Sequence, residues 1–361
     1  MPTTSWAGVF ETCARRVLDL LEAAPCAAEF ILVYDGRMPE PPDWLLRTGV
    51  RVLATEDVRG PAAARNMGAD QARGAILFFV DADVELAVDA LDRVHAALAN
   101  DDGPIAMFGA YDDAPADPRT VSRFRNLLHH HTHVTHPGDA GTFWAGCGAV
   151  RAAHFHDVGG FDETYARPSI EDVELGTRIA ASGGRIVLDP LLRGKHHKAW
   201  SLWSMVATDV SCRAIPWTRL ILSHRHLPAT LNTDWPSRAS GVLAIAAVAA
   251  ALATVYPAWA TSGLLTALAC VAGVVALNAG FYRLCMRRYG AAFAAAAVGL
   301  HLLFFCYSSL AFGGVALASC ISGGARPGDA TGARRAFPGS RPPRRPAGMA
   351  VGAEPLTASP P

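Results

Sequence analysis

Residues 76–85 read ILFFVDADVE and place an unbroken apolar run directly before two carboxylates. Five apolar residues in a row predict a short strand that is buried on both faces, as in a parallel sheet. Asp81 and Asp83 would be costly inside such a core, because an unpaired buried charge is strongly disfavoured. They are therefore expected at the carboxyl edge of the sheet, where open α/β folds bind their ligands.

The i, i+2 spacing of Asp81 and Asp83 lets both side chains lean to one side of an extended backbone. Two hard oxygen ligands in that position suit Mg²⁺ or Mn²⁺ held against a diphosphate. The alternative is a solvated turn between a strand and a helix, with Asp83 capping that helix. Because Asp-x-Asp is a common pattern, it does not decide between the two interpretations by itself.

Composition sets broad limits on the protein. A length of 361 residues suggests two or three domains. A net charge of zero implies no bulk attraction to nucleic acid, so no nucleic acid partner is expected. The eight cysteines lack any C-x-x-C spacing, which fits a reducing compartment better than a disulfide framework. A signal peptide is not expected, because charged side chains interrupt the N-terminal apolar pattern at Glu11, Arg15, Arg16 and Asp19.

Strands and helices are predicted to alternate before residue 199. Apolar runs at 30–34 and 50–53 precede a helix that begins at Gly60-Pro61 and stops at Gly74. The strand at 76–80 follows, and the same alternation continues to a last strand at 185–188. This order predicts βαβ units and a mostly parallel sheet with flanking helices.

The segment 199–238 changes character, because tryptophans are mixed there with basic side chains. This mixture favours amphipathic helices at a membrane surface over a soluble helix with a thick apolar face. It follows a first domain that is expected to span residues 1–198. A Pro/Arg-rich tail at 323–361 is predicted to be disordered.

Residues 239–322 contain three apolar segments, at about 242–259, 262–282 and 291–321. Each is long enough for a helix that crosses a bilayer, and a buried helical bundle is the less favoured alternative. Arginines lie between the second and third segments, at Arg283, Arg287 and Arg288. By the positive-inside rule this connection and the first domain are cytoplasmic, which predicts a multi-pass protein of the cell inner (plasma) membrane. The same count places the C-terminus outside, whereas the arginines of the tail favour the cytoplasm; a third segment that re-enters would remove the conflict.

Polar residues gather where predicted strands end and predicted helices begin. Asp35 follows the first strand, Arg65 and Asn66 lie in the first turns of a helix, and Glu171-Asp172 open another. Strand carboxyl ends and helix N-termini meet at the same rim of an α/β sheet, so these groups can converge on one pocket. The simpler interpretation of Glu171-Asp172 is favourable charge at a helix N-terminus, worth less than about 1 kcal/mol.

The motifs resemble, in order, those of the inverting family 2 glycosyltransferases, which have the GT-A fold. The matching segments cover about residues 30–225 and read VYDG, GPAAARNMGA, FFVDADVEL, TFWAGCGAVR, GGFDE, SIEDVELGTRIAASGGRIVLDP and KHHKAWSLW. The apolar segments that follow suit a membrane-anchored bacterial branch. The resemblance implies a GT-A-like domain, but residues 1–9 are too short and polar for a good first strand, so that strand is expected to be missing.

The resemblance implies transfer of a sugar from a nucleoside-diphosphate sugar to an acceptor, assisted by a divalent cation, Mn²⁺ or Mg²⁺. It makes Asp172 the general base, with Glu171 beside it. It places the donor at Asp35, Arg65, Asn66, Asp81 and Asp83, and the cation at Asp83, Asp81 and His196. The acceptor or sugar region would include Trp144, Gly146, Gly148 and Asp162, and the phosphate loop would contain Lys195 and His196. The membrane anchor suggests a lipid or lipid-linked acceptor.

Two alternatives to this function stay open. A catalytically silent membrane scaffold with the same fold is favoured by the short N-terminus and by Tyr34, which replaces a usual acid; the intact acids oppose it. A sugar-phosphate nucleotidyltransferase is less favoured, because no glycine-rich, lysine-containing phosphate loop is seen near the N-terminus. A zinc site in the histidine tract at 129–136 is also disfavoured, since no acidic or cysteine partner lies nearby.

Overall fold

The computed structural model describes residues 1–46, 49–224 and 233–321. The tail that the sequence predicts to be disordered, 323–361, lies outside the described residues. Residues Met1–Ala318 form one compact unit, which contains both the N-terminal domain and the long apolar helices.

A three-stranded parallel sheet contains the N-terminus. Strand β1 (Pro2–Thr3) pairs with β2 (Ile31–Tyr34), which pairs with β3 (Arg51–Ala54). The first strand is therefore present but only two residues long. The amino group of Met1 extends its ladder by donating to the carbonyl of Ile31 at 3.0 Å. Helices α1 (Val9–Glu22), α2 (Asp43–Leu46) and α3 (Pro61–Gln71) connect or flank these strands.

A second sheet has six strands in a mixed arrangement. Its strands are β4 (Ile76–Val80), β5 (Val84–Leu86), β6 (Ala106–Tyr111), β7 (Gly138–Ala140), β8 (Cys147–Arg151) and β9 (Ile186–His196). The order is β4-β8-β6-β9-β5, with β7 also on β9, and only β6 and β9 run parallel. The predicted mostly parallel sheet is thus wrong in this half of the domain. Strand β8 enters between β4 and β6 and runs antiparallel to both, which local alternation does not reveal.

Strand β4 is buried on both faces, as the sequence predicts. Leu77 and Phe79 pack in one apolar cluster with Phe108 and Phe161, whereas Val80 packs in another with Met107. Because the backbone is pleated, alternate side chains of one strand enter different cores. The strand ends at Val80 and thereby presents Asp81 and Asp83 beyond both cores.

Helices α4 (Ala90–Leu98), α5 (Thr120–Val134), α6 (Ala152–Asp157) and α7 (Glu171–Ala181) complete the domain. The histidine tract lies mostly on α5 and holds that helix against β6. The Nδ1 atoms of His130 and His133 donate to the carbonyls of Tyr111 and Gly109, at 2.7 and 2.8 Å. Among the described residues no cluster of three or more His, Cys, Asp or Glu side chains is placed to hold a metal ion. His130 and His133 therefore pack α5 against β6.

After β9 the chain forms α8 (Leu202–Thr208), a π-helix (Asp209–Ala214) and α9 (Ile215–His224). Three long apolar helices follow: α10 (Trp235–Ala253), α11 (Ala260–Leu277), preceded by the 3₁₀ turn Pro257–Trp259, and α12 (Ala279–Ile321). By length and composition, all three can cross a membrane. The predicted second segment reached residue 282, but α11 ends at Leu277 and the residues after Asn278 begin α12.

Helix α12 is broken at Gly290, where φ is 82°. The basic part, 279–289, is thus separated from the apolar part that begins at residue 291. Phe281 and Cys285 of this basic part pack against Phe124 and Leu127 of α5. The guanidinium of Arg288 also donates to Asp113 at 2.7 Å. The arginine-containing connection therefore docks on the N-terminal domain.

Candidate active site

A cavity of about 690 Å³ lies where the ends of β2, β4 and β9 approach α3, α5 and α7. Eight of the residues that the sequence singles out line it: Asp35, Arg65, Asp81, Asp83, Trp144, Glu171, Asp172 and His196. Five others do not: Asn66, Gly146, Gly148, Asp162 and Lys195. The predicted convergence of distant acids therefore occurs, but with a smaller set of residues.

Asp35 closes one end of the cavity and is buried. Its carboxylate accepts hydrogen bonds from the backbone N–H groups of Arg59 and Gly60, at 2.8 and 2.9 Å. The hydroxyl of Thr55 donates to it as well, at 3.0 Å. Since both oxygens are engaged, Asp35 fixes the loop that leads into α3. Gly60 belongs to this loop for a steric reason, because a Cβ there would lie 2.6 Å from the carbonyl carbon of Ala166.

Arg65 lies at the centre of the site and bridges two acids. Its guanidinium donates to Asp81 at 2.7 Å and to Glu171 at 2.8 Å. Burial alone would lower the pKa of Arg65, but the two carboxylates more than offset this effect and raise it. Glu171 is also buried and accepts from the backbone N–H of Ser169 at 2.8 Å. Glu171 is thus engaged in holding Arg65, which leaves Asp172 as the available acid of the pair.

Asp172 faces the cavity from the first turn of α7. Its Oδ2 accepts from the backbone N–H of Ala145 at 3.1 Å, and its Oδ1 accepts from the N–H of Val173 at 2.8 Å. Burial, and next the negative charge of Glu171, raise the pKa of Asp172 to about 7, although Arg65 opposes the shift. A carboxylate with a pKa near neutrality is suited to accept a proton at physiological pH.

Asp83 and His196 lie next to each other on the same cavity. The Nε2 of His196 is 3.6 Å from the Oδ2 of Asp83. Stacking on Tyr111, with ring centroids 4.2 Å apart, fixes the imidazole in place. Oxygen and imidazole nitrogen are donors that Mn²⁺ accepts, and Mg²⁺ in such sites takes one or two carboxylates and completes its shell with water and phosphate. The two side chains fit a divalent cation, although Asp81 is already paired with Arg65.

Asn66, predicted at the donor, and Asp162, predicted in the acceptor or sugar region, lie outside the cavity and have structural contacts. Asn66 donates to the carbonyl of Phe161 and accepts from its N–H, both at 2.9 Å. Asp162 accepts from the N–H of Thr164 at 2.9 Å. Asn66 therefore ties α3 to the 159–163 loop, and Asp162 shapes that loop.

Gly146 and Gly148 make room for aromatic side chains. A Cβ on Gly146 would lie 2.6 Å from the indole of Trp144, and a Cβ on Gly148 would lie 2.2 Å from the carbonyl oxygen of Trp144. Both glycines are thus in close contact with Trp144 within the protein, and neither lines the cavity. Trp144 does line the cavity, where its ring packs edge-on against Tyr111 at 4.8 Å.

Of the two lysines in this segment, Lys198 lines the cavity and Lys195 does not. The ammonium of Lys195 donates to the carbonyl of Ala114 at 2.7 Å and does not line the cavity. Lys198 does line it, 4.5 Å above the ring of Trp200. The motif KHHK contains both lysines. The sequence signal that could have distinguished them was the alternation of side chains along the strand, which continues to His196.

Three arginines that line the cavity, Arg125, Arg167 and Arg213, were not predicted as site residues. Arg125 on α5 and Arg213 on the π-helix both line it, together with Trp217. The sequence placed Arg213 only in the segment expected at a membrane surface. That Arg213 lies on the same cavity as Arg125 depends on the docking of two distant segments, and the local sequence contains no signal for it.

Comparison with known proteins identifies the class. Residues 9–159 match the family model described as Glycosyl transferase family 2. The chain therefore contains a glycosyl transferase family 2 domain, and the predicted GT-A-like fold and glycosyltransferase class are confirmed. The match ends before Glu171 and therefore does not include Glu171, Asp172 or His196. The comparison with curated proteins finds no match.

Three solved structures are similar to the chain. A mannosyltransferase, PcManGT from Pyrobaculum calidifontis in complex with GDP-Man and Mn²⁺, has 17% identity and a TM-score of 0.49, covering 86% of this chain and 84% of its own. TarS 1–349 from S. aureus has 15% identity and a TM-score of 0.42, covering 89% and 90%. GalNAc-T7 with UDP, GalNAc and Mn²⁺ has 19% identity and a TM-score of 0.41, covering 58% and 45%.

Proposed function

We propose that this glycosyltransferase moves a sugar from a nucleoside-diphosphate sugar to a membrane-associated acceptor with inversion at the anomeric carbon. One observation carries the proposal: Asp83 with His196, and Asp172, line the same cavity. A cation site and a base on one cavity are the two functions that inverting transfer requires, one for the leaving group and one for the nucleophile.

The nucleoside would lie at the end of the cavity closed by Asp35. Thr3, Ser5 and Val58 also line that end, where they offer hydroxyl and apolar contacts. Asp35 holds the wall through the backbone N–H groups of Arg59 and Gly60, and Arg65 holds Asp81 in position on the same cavity. The donor site is thus preorganised by buried hydrogen bonds, which limits the ordering that binding has to supply.

Asp83 and His196 would hold the divalent cation, Mn²⁺ or Mg²⁺. When bound, the cation would neutralise charge that develops on the diphosphate as the sugar leaves. Lys198 lies on the same cavity and adds a second positive charge for the phosphates. Tyr111 supports His196 by stacking and so keeps the imidazole next to Asp83.

Asp172 would act as the general base. Its carboxylate accepts the proton of the acceptor hydroxyl while the hydroxyl oxygen forms a bond to the anomeric carbon. The bond from that carbon to the phosphate oxygen breaks on the opposite face, and the nucleoside diphosphate leaves with the electron pair. The backbone N–H groups of Ala145 and Val173 orient the carboxylate.

The acceptor is proposed to be a lipid or a lipid-linked molecule at the cytoplasmic face of the cell inner (plasma) membrane. Three helices suited to cross a membrane support this, as does the docking of the basic part of α12 on α5. The arginines of that part lie on the same side as the N-terminal domain, which the positive-inside rule assigns to the cytoplasm.

Purified full-length protein in detergent provides the test. Binding of UDP- and GDP-sugars with Mn²⁺ is measured by calorimetry, and transfer or hydrolysis is measured by release of nucleoside diphosphate. Asp172→Asn is expected to reduce turnover by at least about 100-fold and to leave donor binding within a few fold. Asp162→Asn, at a carboxylate outside the cavity, is the matched control and should retain turnover. Equal loss of binding and turnover in Asp172→Asn would contradict the base. No binding of any sugar nucleotide to the unaltered protein would favour the silent scaffold.

A further inference from the structure

A buried carboxylate joins two of the unpredicted arginines of the cavity, Arg125 and Arg213. Asp209, at the start of the π-helix, is only 3% exposed. Its Oδ1 accepts from Arg125 at 2.9 Å and from Arg213 at 2.7 Å. Its Oδ2 accepts from the hydroxyl of Tyr307, at 2.7 Å. Tyr307 belongs to the long apolar helix α12, so this cluster connects a candidate membrane span with the cavity.

The cluster has more positive than negative charge. Two guanidinium groups share the single carboxylate of Asp209, and the neutral hydroxyl of Tyr307 adds no charge. Burial lowers the pKa of Arg125, although Asp209 opposes this shift. The Nε atom of Arg125 is buried and has no hydrogen-bond partner among the described residues. An anion that entered the cavity would find donors that are only partly satisfied.

Both arginines are accessible from the cavity, although to different extents. The side chain of Arg125 is 12% exposed and that of Arg213 is 40% exposed, whereas Asp209 lies behind them and does not line the cavity. The carboxylate thus holds both arginines without itself lining the cavity that they line. Guanidinium groups bind phosphate oxygens through paired hydrogen bonds, which makes a phosphate the anion of best fit.

We propose that Arg125 and Arg213 form a phosphate-binding subsite for the acceptor, positioned by Tyr307 through Asp209. The acceptor would accordingly be a lipid that carries a phosphate group close to the hydroxyl that receives the sugar, or a phosphate that is itself the nucleophile. The assignment of this subsite to an acceptor rests on the proposed function. The prediction that the subsite binds an alkyl phosphate is independent of that function. The contact with α12 favours assignment of the subsite to the acceptor over the donor, because a lipid would reach the cavity from the apolar helices.

Binding to simple probes tests the subsite on the full chain in a non-ionic detergent. The probes are decyl phosphate, decanol and inorganic phosphate, with affinities measured by calorimetry; GDP and UDP with Mn²⁺ report on the donor site. The unaltered protein should bind decyl phosphate at least about ten-fold more tightly than either decanol or inorganic phosphate. Arg125→Gln and Arg213→Gln should each lower the affinity for decyl phosphate by about ten-fold and leave the affinities for GDP and UDP within about two-fold of the unaltered protein.

Arg123→Gln is the matched control, because Arg123 lies on the same helix but stacks on Tyr289 and does not line the cavity. It should leave the affinities for decyl phosphate, GDP and UDP unchanged. Arg213 is the more exposed arginine, so Arg213→Gln keeps the test usable where Arg125→Gln reduces folding.

Tyr307→Phe tests the positioning step. It should weaken decyl phosphate severalfold without changing the donor affinities, and it should add little to Arg125→Gln in the double variant. Tyr282→Phe is its control, since the hydroxyl of Tyr282 contacts His301 at 3.0 Å on the same helix and lies outside the cavity.

Three outcomes would overturn the subsite. GDP and UDP affinities that fall as much as decyl phosphate would assign the arginines to the donor diphosphate. Inorganic phosphate that binds as tightly as decyl phosphate would mean a site for free phosphate and no acceptor role. Unchanged decyl phosphate binding in both arginine variants would remove the site altogether. Failure of the proposed function is distinguishable, because it would appear as no sugar-nucleotide binding while alkyl phosphate binding persists.

Discussion

Arg65 and Glu171 form a buried ion pair with an N–O distance of 2.8 Å, although 106 residues separate them in the chain. The pair joins the first turns of α3 to the N-terminus of α7 and thereby places Asp172 at the cavity. Only 5% of each side chain is exposed, so the pair lies in an environment of low dielectric. Such a pair is costly to break from one side, because the remaining charge stays buried.

Replacement of Arg65 by Met should destabilise the protein by about 3–5 kcal/mol, because Glu171 would remain buried without its partner. The free energy of unfolding in detergent, from denaturant titration, measures this loss. Arg185→Gln is the control, since the ion pair of Arg185 with Asp139 is exposed on both sides and should contribute less than about 1 kcal/mol. A similar stability change in the two variants would contradict the role of the buried pair.

The transfer rate should depend on pH through Asp172. Because burial and Glu171 raise the pKa of Asp172 to about 7, the base is protonated below neutrality. We expect kcat/KM to fall roughly ten-fold per pH unit below that value and to level off above it. Glu171→Gln removes a nearby negative charge and should move the inflection to lower pH. A flat profile between about pH 5 and 9 would be incompatible with this base.

Asp83→Asn should abolish the dependence of donor binding on a divalent cation. The substitution removes a negatively charged ligand beside His196, while the nucleoside end of the cavity at Asp35 is left intact. Titration of Mn²⁺ against GDP or UDP binding measures the effect. Asp112→Asn, which alters a carboxylate paired with Lys195 outside the cavity, should leave the titration unchanged. An unaltered Mn²⁺ response in Asp83→Asn would remove Asp83 from the cation site.

The two lysines of the KHHK motif should behave differently. Lys198→Ala is expected to weaken nucleoside diphosphate binding by about ten-fold, because it removes a charge that faces the cavity. Lys195→Ala should have little effect, since Lys195 donates to the carbonyl of Ala114 instead. Calorimetry on both variants makes the comparison, and a larger loss with Lys195→Ala would reverse the assignment.

Gly148→Ala should destabilise the domain by about 1–3 kcal/mol or more through overpacking. The new Cβ would lie 2.2 Å from the carbonyl oxygen of Trp144, and backbone at that position cannot move without disturbing β8. Gly299→Ala is the control, because nothing lies within 4 Å of a Cβ built there. Denaturant midpoints in detergent compare the two variants, and equal stability would show that the Trp144 segment can adjust.

Several features could be predicted from local pattern alone. The burial of β4 on both faces follows from its five apolar residues, and α3 begins at Pro61 because proline suits the first helical position. Helix α7 ends before Gly183, whose φ of 82° favours glycine. The three long apolar helices follow from composition. These features depend on residues close together in the chain, so the sequence contains their full signal.

The order of the strands was not accessible in this way. Strand β8 lies between β4 and β6, and this insertion turns the expected mostly parallel sheet into a mixed one. The polarity of the sheet depends on which distant strands pair, and alternation of strands and helices is compatible with several pairings. The same limit applies to Gly146 and Gly148, which were assigned to a ligand: the indole of Trp144 packs against Gly146, and the carbonyl oxygen of Trp144 and the ring of Phe143 pack against Gly148.

The amino-acid order alone predicts acids at the ends of strands and the beginnings of helices, followed by apolar helices. Chain-local forces set these features: burial of apolar side chains, turn chemistry and helix-end charge. The packing of distant segments makes Asp172 available while Glu171 holds Arg65, and it brings Arg125 and Arg213 together at Asp209. Those choices depend on side-chain direction and on docking between distant segments. A charge becomes a ligand, a base or a structural partner according to the neighbours that the fold brings to it.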